Sequence, residues 1–149
     1  MFKRITLLLT IKDGVFTKTR SFNSEHLYTT PHINFSSFDE VILVCTDKKP
    51  KSTYFEFIGS LVRELSVPLV ISGGITNLQD AKLLFDSGAD RVIINRALWE
   101  EPNCIKDISL RYGKQAVIAS LDFISNNDFL ISFNWNKKSN RNTLLPPDF

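Results

Sequence analysis

The residues that could take part in chemistry are grouped where apolar runs of the sequence end. Gly73 and Gly74 follow the run VPLVI, Asn95 and Arg96 end the run that begins at Arg91, and Asp122 ends QAVIASLD. Paired glycines let main-chain amides approach an anion without a Cβ in the way, and the amino terminus of a following helix adds partial positive charge. An arginine can bind phosphate through two hydrogen bonds. A carboxylate can act as a general acid or base when burial adjusts its pKa. These residue types predict phosphate binding and acid–base chemistry.

Each of these residues also has a purely structural interpretation. Gly73 and Gly74 would only form a tight turn, Arg96 would be solvated, and Asp122 would cap the turn after its strand. The amino ends of the apolar runs are charged as well, and charges of both signs would gather at that end of the sheet. Strand ends are often simply polar, so the same two interpretations apply to Arg4, Asp39, Glu40, Asp90 and Arg91.

Short apolar runs alternate with segments of helical periodicity. Strands are predicted over 4–11, 41–46, 67–71, 91–95 and 115–122, with a hairpin strand over 128–135. Helices are predicted over 52–65, 78–88 and 101–113, and Asn77 is the expected cap of the second. The strands are apolar on both faces, which is typical of a parallel sheet covered by helices. An α/β fold follows, with its site at the carboxyl ends of the strands.

The weakest part of this pattern lies over 23–38, where a first crossover helix belongs. Pro31 and the threonines and serines around it argue against a long helix there. At the other end of the chain, KKSNRNTLLPPDF is predicted to be loop or disordered. We therefore expect one domain over 1–135 and a C-terminal tail over 136–149.

Composition and charge exclude several functional classes. The chain has 149 residues, 43% hydrophobic and 23% charged, which is ordinary for one globular domain. A net charge of +2 with scattered basic residues gives no support for nucleic-acid binding. The apolar runs are too short for a membrane helix, and no signal-peptide cleavage site follows the first of them, so we expect a cytoplasmic protein.

The cysteines argue against a metal centre. Cys45 and Cys104 have no CxxC partner and lie far in sequence from His26 and His32. Two separate reduced thiols are therefore expected, with no disulfide, no bound metal and no cofactor.

Several motifs together resemble the cyclase subunit of imidazole glycerol phosphate synthase. They are KRI followed by LLL.IKDG, a DE pair before an apolar strand, VPL.I.GGI, GADRVIIN and YGKQAVIASLD. The resemblance is specific over about 66–122, good over 3–22, thin over 23–64 and ends near 143. Members of that family are eight-stranded barrels of about 250 residues. The resemblance thus implies a partial (β/α)8 barrel of about four to five βα units, in effect a half-barrel.

The resemblance also implies an activity. In that family a glutaminase docked on the bottom face supplies ammonia, which crosses the barrel and closes an imidazole ring on a phosphorylated ribotide, with two aspartates as acid and base. One of these aspartates corresponds to Asp122 and the other falls on Thr10. A third family aspartate falls on Cys45, and a threonine of the phosphate site falls on Arg96. The first-loop lysine and half of the phosphate site are kept as Lys18, Gly74 and Asn95.

The bottom face carries the family's charges more completely. The charged ammonia entrance corresponds to Arg4, Glu40 and Arg91, and the aspartate on which the partner docks corresponds to Asp90. The partners implied are a glutaminase-type subunit and a phosphorylated small molecule.

Thr10 puts the usual reaction in doubt, because a threonine cannot exchange a proton near neutral pH. Losing one member of an acid–base pair typically costs ~10² to 10⁴ in rate. Relatives linked to surface-sugar amidation resemble this chain in a first strand of LLL type without the aspartate, followed by a pair like Lys18 and Thr19. Three hypotheses stay open: a degenerate cyclase of histidine biosynthesis, an ammonia-delivery partner of a glutaminase and amidotransferase, and a non-catalytic half-barrel or gene remnant. A half-barrel would leave the first and fifth strands as bare edges, which a homodimer could hide.

Overall fold

The structure, a computed structural model of the chain, describes residues 3–20, 23–28, 33–47, 52–126, 129–134 and 139–144. The chain forms two compact units, Met1–Ile118 and Ala119–Phe149. The boundary between these units lies well before the predicted one at 135/136.

The main sheet has seven strands. They are β1 (Thr6–Lys12), β2 (Val15–Arg20), β3 (Asn23–Tyr28), β4 (Glu40–Cys45), β5 (Leu69–Ser72), β6 (Arg91–Ile94) and β7 (Val117–Ala119). Their order across the sheet is β3-β2-β1-β4-β5-β6-β7, and β1, β4, β5 and β6 run parallel. The predicted fifth strand is shorter at both ends, because Lys114–Ala116 form a 3-10 turn before it and the strand ends at Ala119, before it reaches Asp122.

Helices connect the parallel strands. Helix α1 (Ser52–Glu64) follows β4, α2 (Leu78–Asp86) follows β5, and α3 (Ala97–Glu100) and α4 (Pro102–Tyr112) follow β6. Of these, only the short α3 was not predicted. The mostly parallel sheet with alternating helices is that of a partial (β/α)8 barrel, which confirms the predicted fold class. Within the described part of the chain, no helix is long and apolar enough to cross a bilayer.

The core lies between one face of the sheet and helices α1, α2 and α4. Alternate residues of β4 are buried on this face, because successive strand residues face opposite sides. Full burial of a large apolar side chain stabilises a fold by roughly 1.5–3 kcal/mol. The fully buried side chains include Val41 and Leu43 of β4, Tyr54 and Ile58 of α1, and Ile108 of α4.

The first two strands form a tight hairpin. Asp13 and Gly14 have φ values of 51° and 77°, as a two-residue hairpin turn requires, and Lys12 pairs with Val15. Strand β2 then pairs with β3. Among the described residues of 23–38, the only helical segment is a 3-10 turn at Phe35–Ser37, where the sequence pattern called for a crossover helix. The hairpin also covers part of the first strand, which was expected to be a bare edge.

Two aspartates fasten the starts of neighbouring strands in the same way. The N–H of Asp39 donates to the carbonyl of Ile5 at 2.9 Å, and its carboxylate accepts from the N–H of Ile5 at 2.7 Å. Asp90 makes the same two bonds to Leu69, at 2.9 and 2.8 Å. Each aspartate stands directly before a parallel strand and holds the beginning of the strand beside it. We call this pair of contacts the aspartate clamp.

The second unit contains a separate antiparallel sheet. Its strands are β8 (Phe123–Asn126), β9 (Phe129–Asn134) and β10 (Ser139–Leu144), in the order β10-β9-β8. β9 corresponds to the predicted hairpin strand. β10 lies where loop or disorder was expected, since pairing such as Asn140 with Phe133 satisfies the main chain of this polar stretch. The rest of the tail, 136–138 and 145–149, falls outside the described residues.

Candidate functional site

A cleft of about 360 Å³ lies where β5 ends and α2 begins. It brings together three of the residues predicted to bind phosphate, namely Gly73, Gly74 and Arg96. Apolar side chains of α1 and α2 form part of its wall, and Thr76, Asn77 and Asp80 form its polar part. Its remaining lining residues are Phe55, Ile75, Leu83 and Leu84.

Gly73 has a structural role in addition to any role in binding. Its φ is 106°, and a Cβ at this position would lie 2.3 Å from the carbonyl oxygen of Cys45. No side chain fits at that distance, so the close approach of the β4 and β5 ends requires glycine. The interpretation of this residue as a tight-turn glycine therefore accounts for its presence without a ligand.

The amino terminus of α2 is already occupied by its own side chains. Asn77 accepts a hydrogen bond from the N–H of Asp80 at 2.9 Å. The Asp80 carboxylate in turn accepts from the N–H of Thr76 at 2.8 Å, from the Thr76 hydroxyl at 2.7 Å and from the N–H of Asn77 at 3.2 Å. This capping box engages the amides of Thr76, Asn77 and Asp80, and it places a carboxylate in the cleft. The expected contribution of this helix terminus to phosphate binding is therefore reduced.

Arg96 and Asn95 lie at the end of β6. The Arg96 side chain is exposed, and its Nε lies 3.3 Å from a carboxylate oxygen of Glu100 one helical turn later. The Asn95 carbonyl accepts a hydrogen bond from the N–H of Leu98 at 3.1 Å, which begins α3. An anion in the cleft would meet the Arg96 cation on one side and the Asp80 carboxylate on another.

Thr10 and Lys18 lie in a different cleft, of about 430 Å³, between β1 and β2. The Thr10 hydroxyl donates a hydrogen bond to the carbonyl oxygen of Thr17. The position at which the family resemblance places an aspartate thus holds a donor that ties β1 to β2. Lys18 is exposed, and it is the strand-pairing partner of His26, which lies in β3.

At the end of β4 the buried Cys45 lies beside the buried Tyr54 and the partly exposed Asp47. Its thiol lies 3.8 Å from a carboxylate oxygen of Asp47, to which it donates. Burial is the main cause that raises the pKa of this thiol to about 11. The pKa of Tyr54 is raised as well, first by burial and then by the neighbouring Cys45. Cys45 is therefore protonated at neutral pH and cannot act as the carboxylate that it replaces.

Asp47 also joins the turn between β1 and β2 to Cys45. Its carboxylate accepts a hydrogen bond from the N–H of Asp13 at 2.7 Å. The Thr46 hydroxyl and N–H both donate to the carbonyl of Ile11, at 3.1 and 3.0 Å. The turn of the hairpin is thereby fixed against the end of β4.

The opposite ends of the strands carry a partly buried ion pair. Glu40, at the start of β4, is bound to Arg91, at the start of β6, and the exposed fractions of the two side chains are 12% and 31%. Arg4 is exposed near the same end of β1. Asp90 is exposed too, but one of its carboxylate oxygens is held in the aspartate clamp.

Asp122 belongs to the second unit, directly before β8.

Sequence reasoning missed Asp80, Asp47 and Tyr54. Of these, only Asp80 had a readable signal, since it follows the Asn77 cap at the capping-box spacing. Asp47 and Tyr54 meet Cys45 through the fold and show no local pattern.

Comparison with known proteins agrees with the resemblance seen in the motifs. A family described as "Histidine biosynthesis protein" matches residues 8–144. The "Putative imidazole glycerol phosphate synthase subunit hisF2" of Parasynechococcus marenigrum (strain WH8102) is 33% identical over 131 residues, which are 81% of this chain and 49% of that protein.

Two further relatives carry the name "Imidazole glycerol phosphate synthase subunit HisF". The one from Dictyoglomus turgidum is 34% identical over 56% of this chain and 34% of its own length. The one from Parabacteroides distasonis is 29% identical over 89% of this chain and 56% of its own length. The chain thus spans about half or less of the length of these curated relatives. From its match over residues 8–144, the chain belongs to the histidine biosynthesis protein family.

Proposed function

We propose that this chain is a degenerate relative of the cyclase subunit, which works in ammonia delivery with a glutaminase-type partner. One observation carries the proposal. The Thr10 hydroxyl joins β1 to β2 through the Thr17 carbonyl, while Glu40 and Arg91 at the other end of the strands form an ion pair. At the carboxyl end of β1, Thr10 replaces one aspartate of the family's acid–base pair. At the amino ends of the strands, the charges that the resemblance assigns to the ammonia entrance are kept.

The Glu40–Arg91 pair is suited to a gate on a path along the sheet. The two residues stand at the starts of β4 and β6, on either side of β5. A pair that is only partly exposed is costly to break, because one charge would be left buried without its partner. It therefore keeps this end of the sheet closed until a partner surface offers alternative contacts. Arg4 and Asp90 supply further charges for such a surface.

The cleft at Gly74 supports a phosphorylated ligand, but only a weakly bound one. Gly74 has a φ of 74°, and Asn95 and Arg96 stand at the neighbouring strand end. The Asp80 carboxylate and the pairing of Arg96 with Glu100 both weaken the attraction of these groups for an anion. We expect the affinity for phosphate to be low.

The test is to mix the full chain with a candidate glutaminase and to measure binding and glutamine hydrolysis. Binding and a rise in hydrolysis are expected. Glu40→Gln should reduce the rise, because Arg91 loses its partner. Lys82→Gln is the matched control, since it removes an exposed ion pair with Asp86 on α2. Absence of both binding and stimulation would overturn the proposal.

A second candidate is the cyclase reaction of histidine biosynthesis itself. The family match and the retained Asp122 favour it. With Thr10 in place of one aspartate, we expect a rate ~10² to 10⁴ below that of a complete acid–base pair. Complementation of a strain that lacks the cyclase subunit separates the two candidates: growth without histidine supports the cyclase, and no growth together with glutaminase stimulation supports ammonia delivery.

A further inference from the structure

The cleft between β5 and α2 brings two opposite charges into one small space. Its described lining includes one carboxylate, that of Asp80 on α2, and one guanidinium, that of Arg96 after β6. The volume of about 360 Å³ is near the lower end of the range for sites that hold a small molecule. All of these lining residues belong to the first unit, and β5 and β6 each have a neighbouring strand on both sides. One small ligand can therefore reach both charges.

Only one oxygen of the Asp80 carboxylate is used by the fold. Its Oδ2 accepts all three hydrogen bonds, from the N–H and the hydroxyl of Thr76 and from the N–H of Asn77. Its Oδ1 accepts no hydrogen bond from any residue that the structure describes. A carboxylate oxygen is a strong acceptor for an ammonium group. The helix cap thus fixes the position of Asp80 and leaves it an acceptor for a cationic group.

The partner that Arg96 has within the chain is easily exchanged. Its Nε lies 3.3 Å from a carboxylate oxygen of Glu100, and the two side chains are 44% and 42% exposed. Water screens an ion pair as open as this one, so its contribution to stability is small. A carboxylate on a ligand can replace Glu100 and accept two hydrogen bonds from the guanidinium.

Part of the cleft wall is apolar. The residues that form this part are Phe55 of α1, Ile75, and Leu83 and Leu84 of α2. Leu83 is 40% exposed, so a ligand with an apolar body would remove apolar surface from water. An inorganic anion gains nothing from this wall, and Asp80 repels it.

We propose that the cleft binds a small zwitterion with an apolar body, of the amino acid class. The ammonium group donates to Oδ1 of Asp80, the carboxylate replaces Glu100 at Arg96, and the apolar body covers Leu83. The inference rests on the ligand cleft of the proposed function and not on ammonia delivery. It also accounts for the low phosphate affinity expected above, because phosphate carries no ammonium group to offset the charge of Asp80.

The experiment is calorimetric titration of the full chain with two isomers, leucine and ε-aminocaproate, which differ in the separation of their charges. Isocaproate and isoamylamine are the single-charge analogues of leucine, and caproate and pentylamine are those of ε-aminocaproate. At least one isomer should bind at least about fivefold more tightly than both of its analogues. If neither isomer does so, the inference is overturned, and inorganic phosphate binding in the same titrations would show that the ligand cleft of the proposed function still stands.

Variants at the two charges should respond with different signs. Asp80→Asn keeps a carbonyl oxygen for the helix cap and removes the charge, so it should weaken binding of the zwitterion at least about fivefold and strengthen binding of the carboxylate analogue. A merely structural role of Asp80 would change both affinities in the same direction. Asp86→Asn is the matched control, since it removes a carboxylate at the other end of α2, outside the cleft lining, and should change neither affinity.

Arg96→Gln tests the other charge and serves as well should Asp80→Asn fail to fold, because the Arg96 side chain is exposed. It should weaken binding of the zwitterion at least about fivefold and leave the affinity for the amine analogue unchanged. The lysines of 48–51 precede α1 and lie outside the described residues. Wild-type affinity in Arg96→Gln would mean that another cation holds the carboxylate, and it would overturn the proposal.

Discussion

The side-chain hydroxyl of Thr10 in β1 donates a hydrogen bond to the main-chain carbonyl oxygen of Thr17 in β2. This bond lies at the point where β2 separates from β1. The residue at the position where the resemblance places an aspartate therefore has a structural role. A carboxylate at position 10 would meet the carbonyl oxygen with no proton to share.

Substitutions at Thr10 should therefore separate hydrogen bonding from shape. Thr10→Val removes the donor and should lower the free energy of unfolding by about 1 kcal/mol. Thr10→Asp should lower it by about 2–3 kcal/mol, because it also buries part of a charge. Thr10→Ser keeps the hydroxyl and serves as the control. Urea unfolding gives the values, and an aspartate variant as stable as the wild type would contradict this account of Thr10.

Two glycines should respond to alanine with opposite signs. Gly73→Ala should lower the free energy of unfolding by about 3 kcal/mol or more, because its Cβ would collide with the Cys45 carbonyl and its φ is positive. Gly59→Ala lies within α1, where a Cβ meets nothing within 4 Å, and should raise it by about 0.5–1 kcal/mol. Chemical denaturation of both variants tests this contrast. A harmless Gly73→Ala would mean that the ends of β4 and β5 can separate.

Removal of the Asp80 carboxylate should change stability and anion binding in opposite directions. Asp80→Ala breaks the capping box and should cost about 1–2 kcal/mol of stability. It also frees the amides of Thr76 and Asn77 and removes a negative charge from the cleft, so inorganic phosphate should bind several-fold more tightly. The matched control is Asp86→Ala at the end of the same helix, whose exposed ion pair should contribute less than about 0.5 kcal/mol. Thermal shifts with and without phosphate measure both effects, and equal shifts in the two variants would contradict the assignment.

The Cys45 thiol should make the fold less stable in alkaline solution. Its pKa is about 11 in the folded chain against an ordinary value of 9.0. Between these values the unfolded chain has released a proton that the folded chain still holds, so stability is unaffected below about pH 9 and falls as the pH rises. The loss by pH 11 should be about 2 kcal/mol. Denaturant titrations across this range should show a smaller slope in Cys45→Ala, and an identical slope would show that the thiol is not buried in this way.

The parts of the fold that sequence predicted are those with local signals. Apolar runs such as VILVC gave the parallel strands, and Asn77 marked the start of α2. The β1–β2 hairpin was not predicted, although Asp13-Gly14 is a strong hairpin turn, and β3 pairs with β2 in the segment where a crossover helix was expected. β10 was missed because SNRNTL is polar and becomes a strand only through pairing with β9.

The candidate site followed the same rule. Gly73, Gly74 and Arg96 line one cleft, as expected for neighbouring strand ends of a parallel sheet, and phosphate binding there stays a prediction. The groups that modify their chemistry were not foreseen. Asp80 opposes an anion, Thr10 is engaged by Thr17, and Cys45 lies beside Tyr54, and each of these relationships joins residues through tertiary contacts that the order of the sequence does not display.

The aspartate clamps have a consequence for how such a sheet can be divided. Asp39 closes the lower rim between β1 and β4, and Asp90 repeats the same closure between β5 and β6. Each clamp is complete within one pair of adjacent strands and needs nothing from beyond that pair. The rim is therefore modular: a segment that carries whole pairs keeps its strand starts hydrogen-bonded, whereas a cut between the members of one pair would leave an unpaired amide and an unpaired carboxylate. Partition of a barrel into viable pieces is governed, at this end, by where the clamps fall.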